Sequence, residues 1–335
     1  MRLAMKINII TVDGYFGQRL PTSKSLELQS LEQHLNLYGV KCEFIDIQDV
    51  QNLRLDSDTR CIIGSHQNPG VKKYIDDVIS IKFENYRDSL IPSVRNILAH
   101  ENKGVQAIIM KECPDLFVQQ NYYYRDDIEI NKVKVLKRTY GAGSFGVALA
   151  TDNKTFLKQK KKMFYSDLKF DDIKFYIFEC LKKYIFPSKL SKEHTIYFQR
   201  YNPYVLQDFI PDLNSDYKVL VFGNKYYVLK RNVRDNDFRA SGSGKFVFED
   251  VSEKFLSFAR KVIEFLHTPY ASLDIVERGD GFGCIEFQCV HFGPYTQLNA
   301  EYYYEFKNGK WIREKNNYTL EQVYAEALVD FLKNE

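Results

Sequence analysis

The sequence predicts an α/β chain, with a parallel-sheet domain at the front followed by two α+β lobes. Three observations predict it. Strands alternate with helices over roughly the first hundred residues, the signature of a parallel sheet built from crossover units. Beyond residue 115 the texture turns strand-rich. The chain has 335 residues, 44% of them hydrophobic, and single cores stop growing near about 250–300 residues. The expected divisions are a front domain over 1–100, a first lobe over 101–206 and a second over 207–335.

In order along the chain, "MKINIITVDG" reads as a buried strand closed by Gly14. Leu26, Leu28, Leu31, Leu35 and Leu37 recur near helical spacing, and Gly39 ends that helix. "VKCEFIDI" and "RCIIGS" are further strands, with "GVKKYIDDVI" a helix between later elements. "SLIPSVRNILAH" and "NKGVQAIIMKE" read as two helices. Next come strands in "VKVLKRTY", "GVALATD" and "HTIYFQRY", with a helix in "DDIKFYIFECLKKYI". "YVLQDFIP" and "DYKVLVFGNKYYVLKRNV" are extended, followed by the helix "VSEKFLSFARKVIEFLH" and the strand pair "ASLDIV" and "GCIEFQCV". Asp250 and Glu253 have capping-box spacing before that helix, and a last helix starts at Thr319 with Gln322 three residues on.

Composition excludes several function classes. Lys plus Arg is 47 and Asp plus Glu is 44, a formal net charge of +3, which gives no reason to expect a nucleic-acid partner. "QNYYYRDD" reads as a half-buried strand before a charged turn rather than a base-stacking platform. The six cysteines contain no CxxC pair, and Cys42, Cys61 and Cys284 fall in apolar runs, where a free thiol behaves as a small hydrophobe. No apolar run approaches the ~20 residues of a membrane span, and no signal peptide is evident. The expectation is a cytoplasmic protein with reduced thiols and no membrane partner.

The stretch "TYGAGSFGVALATD" carries Gly141, Gly143 and Gly146 in a GxGxxG pattern, which three nucleotide-binding designs share. A dinucleotide fingerprint needs a helix directly after the last glycine, whereas "VALATD" favours a strand and turn. A protein-kinase loop needs HRD and DFG strings downstream, and neither occurs. The third design asks for a strand ending in lysine, a flexible glycine loop and a returning strand. "KVKVLK-RTYGAGSFG-VALATD" supplies that order, with Lys137 toward the phosphates and the backbone N–H groups of the loop closing over them.

From here the chain resembles the ATP-grasp superfamily, most closely the branch of ribosomal-protein glutamate ligase and glutathione synthetase. The resemblance spans roughly residues 95 to 295, preceded by a strand–helix domain as in that family. It implies nucleotide contacts from Lys103 and Lys137 and from the glycine loop, Gly141, Gly143, Ser144 and Gly146. "VLQDFIP" is similar to the hinge that reads adenine, with Gln207, Asp208, Phe209 and Ile210 along the base. Asp216 falls near the ribose, and Lys218 stands where an arginine is usual. "DFRASGSGK" resembles the loop whose arginine, here Arg239, contacts phosphate; Ser241 stands where Asn is common. "LDIVERGDGFGCIEFQ" places Asp274, Glu286 and Gln288 where the family carries Asp, Glu and Asn to hold Mg²⁺. Hard Mg²⁺ takes oxygen ligands shared between carboxylates and the nucleotide's phosphates. Glu286 and Gln288, two apart on a strand, face one way.

The resemblance implies a ligase using ATP and Mg²⁺. A substrate carboxylate takes the γ-phosphoryl group, and an amine then displaces phosphate to give an amide. Lys230, Arg231 and Arg239 are the candidates for neutralising charge at the transferred group. The acceptor is a small-molecule, sugar-acid or peptide carboxylate, and a homo-oligomer is compatible. Arg19 and His66 follow strands of the front sheet, where ligands gather in open α/β sheets. The lysine-rich stretch from Lys158 to Lys162 reads first as a solvated face. Two other classes stand beside the ligase: a kinase or phosphotransferase of the same fold, and a non-catalytic nucleotide-binding module.

Overall fold

The computed structural model describes residues 5–141, 146–166, 170–185, 193, 196–197, 201–234, 237–240, 242–279 and 281–334. The chain divides into two compact units, one made of residues up to Val118 and from Ile210 onward, the other of Gln119–Phe209.

The larger unit opens with a parallel sheet. Strands β1 (Met5–Thr11), β2 (Val40–Asp46), β3 (Cys61–Ile63) and β4 (Leu90–Ile91) lie in the order β2-β1-β3-β4. Helices α1 (Leu28–Leu37) and α2 (Pro69–Lys82) make the crossovers. Gly39 ends α1 at φ 78°, in the left-handed region that glycine adopts without strain. Leu31 and Leu35 are the buried face of α1, whereas Leu37 points to solvent. The sequence puts Leu90 and Ile91 at the head of a helix; they form the edge strand β4 instead. Ile91-Pro92 follows at once, and a residue before proline is pushed toward extended backbone. Helices α3 (Val94–Ala99) and α4 (Lys103–Met110) then meet at the corner His100–Asn102.

The smaller unit holds the sheet β5-β8-β6-β7, from β5 (Gln120–Tyr123), β6 (Lys134–Arg138), β7 (Val147–Ala150) and β8 (Tyr204–Asp208). Its core is Ile130, Leu136, Ala150, Phe156, Tyr204 and Leu206. Helix α5 (Asn153–Ser166) was not expected. Its first turn is closed by Asp152, whose Oδ1 accepts from the Thr155 N–H at 2.7 Å, so "TDN" caps a helix rather than merely turning. Helix α6 (Phe170–Ile185) agrees with the sequence. In α5, Lys160 lies over the Tyr204 ring at 4.3 Å and pairs with Asp126, so that lysine belongs to the fold and not to a free basic face. The strand expected in "HTIYFQRY" falls largely outside the described residues; Ile196 and Tyr197 within it are helical.

The main sheet belongs to the larger unit. It comprises β9 (Ser215–Phe222), β10 (Lys225–Asn232), β11 (Phe246–Val247), β12 (Tyr270–Arg278), β13 (Gly281–Gln288), β14 (Tyr302–Lys307) and β15 (Lys310–Lys315). The strand order is β13-β12-β9-β10-β14-β15, with β11 beside β10. The β14–β15 hairpin turns on Asn308-Gly309, both at positive φ, as the short hairpin turn requires. Helices α7 (Glu253–Leu266), α8 (Tyr295–Asn299) and α9 (Leu320–Asn334) complete the unit.

Strand side chains alternate between faces, so β9 feeds two cores. Val219 and Val221 pack with Phe255, Leu256, Ala259 and Val262 of α7. Leu220 and Phe222 pack with Val323, Tyr324, Ala327 and Leu328 of α9. Asp250 is not the cap of α7. Ser252 holds that place, its Oγ accepting from the Phe255 N–H at 3.2 Å, while Asp250 pairs with Arg313 and Tyr304. The start of α9 matches the sequence, with the Gln322 N–H donating to Thr319 Oγ1 at 3.2 Å.

Candidate nucleotide and metal site

The face of the main sheet that packs on α9 changes character along its strands. In β9 it runs Asp216, Lys218, Leu220, Phe222, charged at one end and apolar at the other. Register then brings the charged ends together. Arg231 of β10 lies opposite Asp216, Lys218 opposite Asp274 of β12, and Asp274 opposite Glu286 of β13. The polar ends of four adjacent strands thus form one patch, built by the same alternation that builds the core.

Arg231 is its centre. Its Nε and Nη2 reach Asp216 Oδ1 and Oδ2 at 2.6 and 2.7 Å, and Nη2 also reaches Asp274 Oδ2 at 2.8 Å. Asp216 and Arg231 are buried and Asp274 nearly so. A two-pronged guanidinium–carboxylate contact is the strongest ion-pair geometry available. Lys218 Nζ stands 3.5 Å from Asp274 Oδ1 and Lys103 Nζ 3.4 Å from Glu286 Oε1. Burial of the Asp274 carboxyl opposes ionisation, but the Arg231 and Lys218 charges outweigh it and hold its pKa down at about 2. For Asp216, buried deeper, desolvation pushes the pKa up against the pull of Arg231.

Lys103 begins α4, whose N-cap is Asn102, its Oδ1 accepting from the Val105 N–H at 3.2 Å. Beside it, Gln288 Oε1 accepts from His100 Nδ1 at 2.9 Å and from the Glu101 N–H at 3.4 Å. The His100 and His291 rings meet edge to face at 5.6 Å, and His291 lies 5.6 Å from Tyr15. Burial, reinforced by His291, lowers the His100 pKa to about 3; burial, reinforced by His66, lowers that of His291 to about 4. Both rings are therefore neutral. His100, His291 and Tyr15 carried no sequence signal, since each gains meaning only from a partner far along the chain.

The remaining expected residues divide between the units. Lys230 pairs with Glu249 at 2.8 Å. Arg239 grips Asp237 through three contacts between 2.5 and 3.0 Å. Ile210 opens the second part of the larger unit. Arg19 pairs with Glu27 at 2.9 Å, and His66 Nδ1 accepts from the Asn68 N–H at 2.9 Å, so both are engaged in local structure. In the smaller unit, Lys137 is buried in β6 opposite Val147 and Val205. Gly141 and Gly146 have φ of 116° and 73°. At Gly146 that left-handed backbone favours glycine, and a Cβ there would also meet the Arg138 side chain. Gln207 is buried on β8, Asp208 pairs with Lys134, and Phe209 follows. Gly143, Ser144 and Ser241 lie outside the described residues.

Asp274 and Glu286 have the donor chemistry Mg²⁺ takes: both offer carboxylate oxygens, opposed in register on adjacent strands, with Lys218 and Lys103 at 3.5 and 3.4 Å as the cations an ion would displace. Among the described residues no group of three or more His, Cys, Asp or Glu able to hold a metal ion occurs, so further ligands would come from phosphate and water, as Mg²⁺ favours. Nor is any helix among them long and apolar enough to cross a membrane.

The chain has the ATP-grasp fold. D-cycloserine synthetase DcsG is similar in structure, with a TM-score of 0.55 at 11% identity, over 98% of this chain and 99% of that one. The ATP-grasp ligase PsnB complexed with a minimal precursor gives a TM-score of 0.51 at 11% identity, over 98% of this chain and 100% of its own. PsnB complexed with minimal precursor, Mg and ADP gives 0.51 at 13% identity, over 98% and 97%. No family model matches the sequence, and no curated protein matches it.

Two outcomes follow from the charges. Arg231→Gln leaves two buried carboxylates without their cation and should lower the unfolding free energy by about 3–5 kcal/mol, read by urea denaturation at pH 7. A smaller loss would mean the carboxylates find another cation. The second concerns His291. Its folded pKa lies below the unfolded value of 6.5, so the unfolded chain binds the extra proton. This ring's contribution is constant well above pH 6.5 and falls, as pH drops through 6.5, toward a slope of about 1.4 kcal/mol per pH unit, until pH nears the folded value. His291→Asn should flatten the denaturation profile between pH 6 and 4.5 by that slope; an unchanged slope would show the ring to be charged or solvated.

Proposed function

We propose that the chain is an ATP-dependent carboxylate–amine ligase, forming an amide through an acylphosphate with release of ADP and phosphate. The observation that carries this reading is the opposed pair Asp274 and Glu286, set among Lys103, Lys218 and Arg231 on the charged face of an ATP-grasp sheet. The similar PsnB has been solved with Mg and ADP, which supports ATP and Mg²⁺ here. Held by Asp274 and Glu286, Mg²⁺ would supply charge neutralisation along the phosphates.

In the proposed reaction an oxygen of the substrate carboxylate bonds to the γ-phosphorus, and the bond to the bridging oxygen of ADP breaks. The amine nitrogen then bonds to the acyl carbon. The carbon–oxygen bond to phosphate breaks, and the amine gives up a proton to solvent. The protein makes no covalent bond. Its contribution is position and fixed charge, which act strongly where water is excluded. Arg231 is charged throughout, because two carboxylates face it. Lys103 is assigned to phosphate, Asp216 to the ribose side and Lys218 to the metal side. Lys230 and Arg239 are assigned to the transferred phosphoryl group, which requires each to leave its present partner, Glu249 or Asp237. In the smaller unit, Lys137 with Gly141, Gly143, Ser144 and Gly146 is assigned to the phosphates. Gln207, Asp208 and Phe209, with Ile210, are assigned to adenine. A reduced cytoplasmic setting suits the six free cysteines.

Phosphorus NMR with Mg²⁺-ATP and pools of amino acids, sugar acids and short peptides tests the reading. ADP and inorganic phosphate should appear only when a carboxylate and an amine are both present. A new phosphate-ester signal without need of an amine would instead establish a kinase. With the substrates in hand, Arg239→Ala should lower turnover by about 10²–10³ at saturating ATP, and near-normal turnover would remove Arg239 from the chemistry.

A further inference from the structure

We propose that Gln288 is a positioning residue for Lys103 and not a ligand of Mg²⁺, so that this chain holds its ion with two protein side chains, Asp274 and Glu286. The inference rests on the ATP-and-Mg²⁺ reading of the site. It departs from what the resemblance implies at this position.

The amide oxygen of Gln288 is already engaged. It faces the backbone N–H of Glu101 at 3.4 Å and His100 Nδ1 at 2.9 Å. A backbone N–H only donates, so the atom facing it is the oxygen and not the amide nitrogen. The His100 nitrogen facing the same oxygen is then the protonated one, since an acceptor there would meet another acceptor. An amide oxygen has two lone pairs; the His100 N–H takes one at 2.9 Å, and the Glu101 N–H faces the other at 3.4 Å, the outer limit of a hydrogen bond. A cation on that oxygen would have to approach past the positive ends of both dipoles.

The two donors belong to one short piece of chain. His100 ends α3, Glu101 holds φ 49°, Asn102 caps α4, and Lys103 is the first residue of that helix. A left-handed conformation is uncommon for a glutamate and persists where surrounding contacts fix it. It redirects the chain from the end of α3 into α4, between the N–H that faces Gln288 and the lysine that faces Glu286. Two residues later, Lys103 Nζ stands 3.4 Å from Glu286 Oε1. Gln288 and Glu286 alternate on β13 with side chains on one face. The strand therefore holds the corner with one residue and meets its lysine with the other. The extra methylene of Gln over Asn adds one carbon–carbon bond, roughly 1.5 Å, which gives the reach to His100 that Asn would lack.

The test uses the full-length chain, a β,γ-imido analogue of ATP, and Mn²⁺ counted by electron paramagnetic resonance. Gln288→Met keeps the size of the side chain and removes the acceptor. Gln288→Asn restores the residue usual in the fold but shortens the reach. A positioning role predicts that wild type and both variants take up the same number of Mn²⁺ ions with dissociation constants within about threefold. It predicts weaker nucleotide binding in both variants, by about tenfold. Nitrogen-15 shifts of His100 should show Nδ1 protonated in the wild type, with that tautomer preference lost in both. A ligand role gives a different pattern: Met loses an ion, while Asn binds ions and nucleotide as well as Gln or better. That result would overturn the proposal. A wild-type chain that takes up neither nucleotide nor Mn²⁺ would overturn the ATP reading and this inference with it.

Discussion

The Arg231 guanidinium, clamped between Asp216 and Asp274, is the constraint on which the larger unit's charged face depends. Desolvating an ion costs several kcal/mol even after the protein relaxes, and here three charged groups are buried or nearly so within one sheet. Such an arrangement persists only when the geometry is good. The contacts are short, two-pronged on Asp216, and fixed by strand register rather than by flexible loops. Because Asp216 lies on β9, Arg231 on β10 and Asp274 on β12, the bridge ties three strands at their polar ends. The aromatic and aliphatic side chains of the same face tie them at the other.

That division sorts the cations of the site by how readily they can move. Arg231 stands within 2.8 Å of both carboxylates and is a fixed charge. Lys218 and Lys103 stand 3.5 and 3.4 Å from Asp274 and Glu286, near the limit of a hydrogen bond. A lysine carries a point charge on a flexible stem, so on the proposed reading Lys103 turns to phosphate while Lys218 stays on the metal side.

Much of this was legible in the sequence, for a physical reason. The string "SDYKVLVF" shows the change from charged to apolar along one face directly, because strand alternation has a period of two. Glu286 and Gln288 were placed on one side by the same rule. The partner of Asp216 was within reach too, since counting outward from the Gly223-Asn224 turn brings Arg231 opposite it. The Asn308-Gly309 hairpin carried its own signal in the turn residues. Helix α5 was hidden because its lysine-rich composition leaves only a thin apolar stripe, with Phe156 its anchor in the core. The contact of His100 with Gln288 spans 188 positions, and no local pattern encodes it. What remained unreadable was thus of two kinds, a helix with too thin an apolar stripe and contacts that depend on register between distant segments.

The same reasoning explains how an ATP-grasp fold stands at 11–13% identity to the similar solved structures. The main sheet is specified by which face each residue occupies, and many residues can occupy the apolar positions. Leu220 and Phe222 need only be large and hydrophobic to meet α9. The charged positions are less permissive, because each must match the length and charge of a partner across the sheet. Gln288, for example, spans from β13 to the His100 ring, a reach that a side chain one methylene shorter would lack. Substitution at the apolar end of a strand changes packing; substitution at its polar end changes which elements of the site are joined.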